Sequence, residues 1–211
     1  VTAQAPDAVA LVGDIVDDVL PEENAWMTVS ALAEQWPCFY VTGNHEASSS
    51  DYAILKDGLE AAGVVILEDE AIYLERNGET ITLLGLADPD FTIKGGLFGE
   101  VPAMVSTKLK NMLEQDTVYS VLLSHRPELF ERYVAWGVDL VLSGHAHGGQ
   151  IRLPIVGGVI APDQGLFPKY DAGLFTDGNT NMIVSRGLGN SIIPIRFNNR
   201  PEVILVEFNA E

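Results

Sequence analysis

Four short motifs carry side chains able to hold a metal ion or move a proton: Gly13-Asp14-Ile15-Val16-Asp17, Gly43-Asn44-His45-Glu46, Ser124-His125 and Gly144-His145-Ala146-His147. All four histidines of the chain fall inside them. A set of aspartate, asparagine and several imidazoles is the donor chemistry that borderline divalent cations take. Asp14 has two carboxylate oxygens, so it can bridge two cations and offset part of their repulsion. Asn44 offers an amide oxygen without adding charge, which keeps a site electrophilic. His145 and His147, one residue apart on a turn, can reach neighbouring ions as neutral imidazoles. His45 would then face the substrate as a proton donor. Taken singly these signals are weak: a lone histidine at a strand end is more often a hydrogen-bonded loop residue, and Ser124-His125 alone decides nothing. For Asp17 the bland reading is stronger still, since acids at a helix start favour the macrodipole. What lifts the set is its order, because each motif directly follows a separate apolar run.

Those runs are the elements that must position the chemistry. Ala8-Val9-Ala10-Leu11-Val12-Gly13 reads as a buried strand, helical spacing follows over 22–36, and a second buried strand is expected at 38–42. A helix at 51–62 should stop at Gly63, and Asn77-Gly78 marks the centre of a hairpin within 64–86. A loop rich in Asp and Gly leads to a helix over 102–114. Then come a strand at 119–123, a helix with Pro127 near its first turn, and a strand at 138–142. From residue 150 onward Gly, Pro and β-branched residues predict short strands and hairpins to the end. The alternation implies an α/β fold in which two packed mixed sheets are flanked by helices. In such sheets the C-terminal strand ends share one rim, so four distant motifs can meet in one crevice.

Composition narrows the alternatives. The chain has 211 residues, 47% of them hydrophobic, which suits one globular domain. Thirty acidic residues against twelve basic ones give a formal charge of -18, which repels polyanions and argues against nucleic-acid binding. No apolar stretch approaches the roughly 18 residues of a membrane span, and the first residues lack a signal-peptide layout, so this chain is expected to be soluble. Cys38, the single cysteine, sits in an apolar run and reads as a buried hydrophobe. Oligomeric state and compartment are not legible.

The motifs GDIVD, GNHE, SH and GHAHGGQ resemble those of the calcineurin-like metallophosphoesterase superfamily, and the resemblance covers essentially the whole chain. Ser143 to Ile151, followed by Ser185-Arg186-Gly187-Leu188-Gly189 and Ile195-Arg196-Phe197, is similar to the bacterial branch of small phosphohydrolases. Members of that branch are often membrane-associated, and some cleave the pyrophosphate of a UDP-linked acylated sugar. The resemblance implies a four-layer sandwich and two divalent ions, manganese, iron or zinc. Asp14 would bridge both ions, Asn44, His125 and His145 would complete one shell, and His147 would bind the other. It further implies His45 as general acid with Glu46 orienting it, and in-line attack on phosphorus by a hydroxide activated between the ions. Arg186 and Arg196 become candidate substrate contacts, because a guanidinium matches phosphate oxygens bidentately. The substrate implied is a small-molecule or lipid-linked phosphoester.

One departure shapes the expectation. The superfamily's first motif, Asp-x-His after an initial strand, should precede Asp14, yet residues 1–13 hold Asp7 and no histidine. On that reading residues 1–211 form a single metallophosphoesterase domain that is N-terminally incomplete, with its first strand missing and any membrane anchor outside this chain. The second ion would keep only Asp14 and His147, with Asp17, Asp88 and Asp90 as reserve carboxylates. The alternative function is accordingly a metal-binding but catalytically impaired chain.

Overall fold

The computed structural model describes residues 1–16, 23–93, 100–114, 118–189 and 195–209. Strands β1 (Val9–Val12), β2 (Cys38–Val41) and β3 (Val65–Ile66) form a parallel sheet in the order β1-β2-β3. A hairpin follows, β4 (Glu70–Arg76) with β5 (Glu79–Leu86). Its turn places Asn77 and Gly78 both at positive φ, which is why that dipeptide reads as a hairpin centre. After β6 (Tyr119–Ser124) and β7 (Leu140–Ser143) come four two-residue strands in two small ladders: β8 (Arg152–Leu153), β9 (Gly157–Gly158), β10 (Ile160–Ala161) and β11 (Gly165–Leu166). The hairpin β12 (Gly173–Asp177) with β13 (Thr180–Val184) completes a six-stranded mixed sheet, ordered β12-β13-β7-β6-β5-β4.

The alternation of side chains across a strand sorts the core into three layers of apolar contact. On β2, Phe39 and Val41 face Leu83, Val121, Leu123 and Leu140 of the second sheet. The intervening residues, Cys38 and Tyr40, pack the other way, against α1 (Glu23–Ala33) and α3 (Tyr52–Ala61) through Val29, Leu55 and Leu59. On the second sheet, Leu84, Leu122, Val141 and Met182 pack beneath α4 (Glu100–Leu113) and α5 (Phe130–Ala135) through Val105, Leu109, Phe130 and Tyr133. Helices, sheet, sheet and helices therefore stack as the expected sandwich. Because both faces of the central strands are covered, they read as continuous apolar runs rather than alternating ones.

Two expectations are corrected. The Asn-His-Glu motif, expected from the sequence as a loop after the second strand, is the first turn of a short helix, α2 (Asn44–Ser48). The end of the chain also differs: among the described residues, 198–209 belong to no strand, and Phe197 makes only an isolated bridge to Ile151. β-branched composition there lacks a partner strand in register, so propensity alone does not build a ladder. Among the described residues no helix is long and apolar enough to cross a membrane.

At the rim formed by the C-terminal strand ends, the two sheets are stitched by polar bonds. The hydroxyl of Thr42, after β2, accepts from the backbone N–H of Asp88, after β5, at 2.9 Å. Nδ1 of His125, after β6, donates to the carbonyl of Val12 on β1 at 2.8 Å.

Candidate metal centre

Asp14 sits two residues past the end of β1, on a turn in which Gly13 and Asp14 both take positive φ. His145 and His147 are left-handed as well, at φ 63° and 47°. Non-glycine residues held there cost on the order of 1–3 kcal/mol each and gather at sites where the surroundings over-determine them. Here the over-determination is visible. Oδ1 of Asp14 accepts from the backbone N–H of His45 at 3.0 Å, and its Oδ2 lies 2.9 Å from His125 Nε2 and 3.9 Å from His45 Nε2.

The ring of His125 is aimed by the Val12 carbonyl on Nδ1, which leaves Nε2 as the nitrogen facing Asp14. A backbone carbonyl on one ring nitrogen is the usual way a ligating histidine is oriented and its tautomer set. His145 places Nε2 2.9 Å from Asp163 Oδ2 and Nδ1 3.1 Å from His125 Nε2. With a carboxylate accepting at Nε2, a neutral ring carries its lone pair on Nδ1, toward the cluster. Ligand atoms of Asp14, His125 and His145 all lie within 4.8 Å of one another. A second group, Glu128, His145 and Asp163, meets the same separation on the other side of His145.

Burial raises the pKa of Asp14, but the neighbouring His125 and His45 outweigh it and hold the carboxyl well below its ordinary range. Burial pulls His125 down; the opposing charge and hydrogen bond of Asp14 win, and its pKa stands raised to about 9. The two shifts describe an ion pair, an Asp14 carboxylate beside a protonated His125. His147 titrates the other way: burial, the largest influence, lowers it to about 4, so the ring is neutral at neutral pH and its lone pair is available.

The chemistry of the donor set fits a divalent cation. Asn44 Oδ1 is buried with no hydrogen-bond partner, and Asp14 Oδ2 is buried with no bond of good geometry. Buried acceptors left this way cost free energy unless something electropositive meets them. Asp14, His125 and His145 could hold one cation, with Asn44 offering an oxygen from the adjoining turn. His147 falls in neither cluster.

Glu46, expected to orient His45, meets backbone donors on both turns of the site. Its carboxylate is fully buried and accepts four backbone N–H bonds, from Asp14 (2.9 Å), Ile15 (2.8 Å), Val16 (3.3 Å) and Gly43 (2.7 Å). Burial and the nearby Asp14 carboxylate raise its pKa. The consequence is a clamp between the turn after β1 and the start of α2, which fixes Asp14 relative to Asn44 and His45. Gly43 belongs to this clamp for a steric reason: a Cβ there would stand 2.2 Å from Asp14 Oδ1 and 2.7 Å from its backbone nitrogen. Gly43→Ala is therefore expected to displace Asp14, lowering stability by about 1–3 kcal/mol as overpacking does and weakening metal uptake. Chemical denaturation together with metal content by elemental analysis checks both.

Arg126, Asp163 and Glu128 enter the site without having been anticipated. Arg126 is buried and grips Asp88 through two bonds, Nε to Oδ2 at 2.6 Å and Nη2 to Oδ1 at 3.0 Å. It also reaches Asp90 at 2.9 Å and Asp163 at 2.5 Å. Asp88, one of the reserve carboxylates, thus has both its oxygens engaged by Arg126. Asp90 likewise faces the guanidinium, and Asp17 lies outside the described residues. The position of Arg126 directly after Ser124-His125 was the one available signal; Asp163, in a turn 37 residues away from Arg126, offered none.

Arg186 and Arg196 stand together beyond the His147 turn. Asn199 Nδ2 donates to the His147 carbonyl at 2.7 Å and to that of Gln150 at 3.2 Å. A Cβ on Gly148 would touch both Asn199 Oδ1 and Arg186 Cγ, so these residues back directly onto the turn.

A model of the calcineurin-like phosphoesterase family matches residues 2–149. The chain is 30% identical over 202 residues to the uncharacterized metallophosphoesterase YkuE of Bacillus subtilis strain 168, a match covering 94% of this chain and 66% of that protein. It is 31% identical over 210 residues to phosphodiesterase YaeI of Escherichia coli K12, covering 97% and 71%. It spans about two thirds of the length of these curated relatives. Among solved structures, the NAD nucleotidase of Haemophilus influenzae superposes at a TM-score of 0.50 with 17% identity, over 85% of this chain and 36% of that one, a likeness of fold alone.

Proposed function

The chain belongs to the calcineurin-like phosphoesterase family, and from that premise we propose that it hydrolyses P–O ester bonds, phosphodiesters foremost, at a divalent-metal centre built on Asp14, Asn44, His125 and His145. The observation that carries this reading is the approach of Asp14, His125 and His145 ligand atoms within 4.8 Å of one another at one rim of the two sheets. Bound divalent cations supply positive charge for the phosphoryl oxygens and lower the pKa of water. The residues of the chain do the rest. Asp14 faces the cluster with Oδ2, while Oδ1 is tied to the backbone of His45. Glu46 holds the two turns in register, and the carbonyl of Val12 keeps Nε2 of His125 turned inward. His45, at the start of α2 with Nε2 3.9 Å from Asp14 Oδ2, stands ready to donate a proton to the departing alcohol oxygen. His147 would hold a second ion with Asp14, manganese, iron or zinc all suiting the mixed nitrogen and oxygen donors. Preference for diesters is supported by the similarity to a relative named as a phosphodiesterase, YaeI.

A second reading, a metal-binding chain with impaired turnover, draws on the position of His147 outside both three-residue clusters. One experiment separates them. Bis(4-nitrophenyl) phosphate and 4-nitrophenyl phosphate are assayed with manganese and with a chelator, alongside metal content. Metal-dependent release of nitrophenol, faster from the diester, is expected. Stoichiometric metal without turnover would favour the second reading.

A further inference from the structure

Three of the chain's twelve basic residues line one pocket. Arg186, Arg196 and Arg200, with Asn198, Asn199 and Pro201, line an open depression of about 610 Å³, within the range of small-molecule sites. On a chain of formal charge -18 such a concentration is not a by-product of composition. Its internal charge balance is also uneven. Arg186 pairs with Glu202 at 3.3 Å. Arg196 spends its Nε and Nη2 on the carbonyls of Gly189 and Arg186, which orient it without neutralising it, and its Nη1 is buried with no hydrogen-bond partner. Among the described residues neither Arg196 nor Arg200 forms an ion pair, so three guanidinium groups are offset by one carboxylate. Burial, with the neighbouring Arg186 charge, lowers the pKa of Arg196 even though the Glu202 carboxylate acts to raise it.

The pocket is joined to the metal-ligand rim. Asn199, one of its walls, is buried and hydrogen-bonds the carbonyl of His147, while Arg186 packs behind Gly148.

We propose that this pocket is a subsite for a second phosphate group of the substrate, separate from the ester phosphate that is cleaved. The inference rests on the phosphoesterase reading above for the word substrate, but not for the anion site itself. A residual charge near two suits a phosphate monoester, which carries about -1.5 to -2 at neutral pH, better than a carboxylate. Guanidinium forks also match phosphate oxygens bidentately.

Inorganic phosphate titrated calorimetrically into the full chain in the presence of a chelator isolates the pocket from the metal centre. One saturable site is expected, weakened about tenfold by Arg200→Gln, as loss of one charge-assisted hydrogen bond implies, and abolished by Arg196→Gln. Arg200 is exposed, so its variant tests the idea even if Arg196→Gln misfolds. Acetate should bind far more weakly. In the metal-loaded chain, a nitrophenyl diester bearing a terminal phosphate on its second alcohol should be preferred to the same ester ending in a hydroxyl, and Arg200→Gln should shrink that preference about tenfold. Phosphate binding that is absent, that ignores both variants, or that acetate equals, overturns the proposal. Phosphate binding that responds to Arg200→Gln in a chain that turns over neither ester leaves the subsite standing and sinks the phosphoesterase reading instead.

Discussion

Asp14→Asn is expected to lower metal affinity and metal-dependent hydrolysis by more than about 100-fold, since even a partner that only orients a ligand typically contributes 10–100-fold. The substitution nearly conserves shape. An amide oxygen can still accept from the His45 N–H, and the Glu46 clamp acts on the Asp14 backbone, so the turn after β1 should persist. What is lost is the negative charge facing His125 at 2.9 Å. The pH dependence of metal-free stability reports that loss independently of activity. In the parent, the raised pKa of His125 contributes stability that is full below its ordinary 6.5 and is lost as pH rises through about 9. The depressed pKa of Asp14 contributes stability present above its ordinary 3.8 and lost as pH falls below it. In the variant, the decline between about pH 6.5 and 9 should flatten. Thermal unfolding in chelator at pH 5, 7 and 9, with elemental analysis of the metal-loaded forms, checks both halves. A variant that keeps full metal content would remove Asp14 from the centre.

His45→Ala is expected to lower turnover of esters with basic alcohol leaving groups by about 10² to 10⁴ fold, the usual worth of a positioned general acid. Metal content should hardly change. The reason lies in how His45 is mounted: its backbone N–H bonds Asp14, and that bond survives truncation of the side chain. The ring sits 3.9 Å from Asp14 Oδ2, near enough to serve the same crevice. Nitrophenolate departs without needing a proton, so a nitrophenyl diester should suffer much less than an alkyl one. Comparing kcat for a nitrophenyl and an alkyl diester across the parent and variant is decisive. Equal losses on both, or a fall in bound metal, would make His45 a ligand or a positioning residue instead.

Glu46 and Arg126 carry a related lesson about where polar groups are employed. Both are charged, both lie beside motif residues, and both are buried. Glu46 meets four backbone donors, and Arg126 meets carboxylates from two other loops. Neither could persist in the interior without such partners, because an unpaired buried charge is far costlier than an exposed one.

The apolar runs at Val9–Val12, Cys38–Val41, Tyr119–Ser124 and Leu140–Ser143 announced the central strands, since strands covered on both faces must be apolar throughout. The residues closing each run announced the cluster, because parallel strands bring their C-terminal ends to one rim whatever their order. Asn77-Gly78 and Gly63 announced a hairpin and a helix end through backbone conformations that few other residues take at low cost. All of these are local signals, written within a few residues or within one strand's period. The order of strands in the second sheet was not local: β13 lies beside β7, although they are separated by four small strands and β12. Nor was the joining of Arg126 to Asp88, Asp90 and Asp163, which spans 36 to 38 residues and looks in the sequence like four surface charges. The same holds for Arg200, which nothing in its neighbourhood distinguished until the chain's end folded back to place it with Arg186 and Arg196. Periodicity and turn chemistry act between near neighbours and so can be read along the chain, whereas the pairing of distant charges is settled only when sheet packing closes the distance between them.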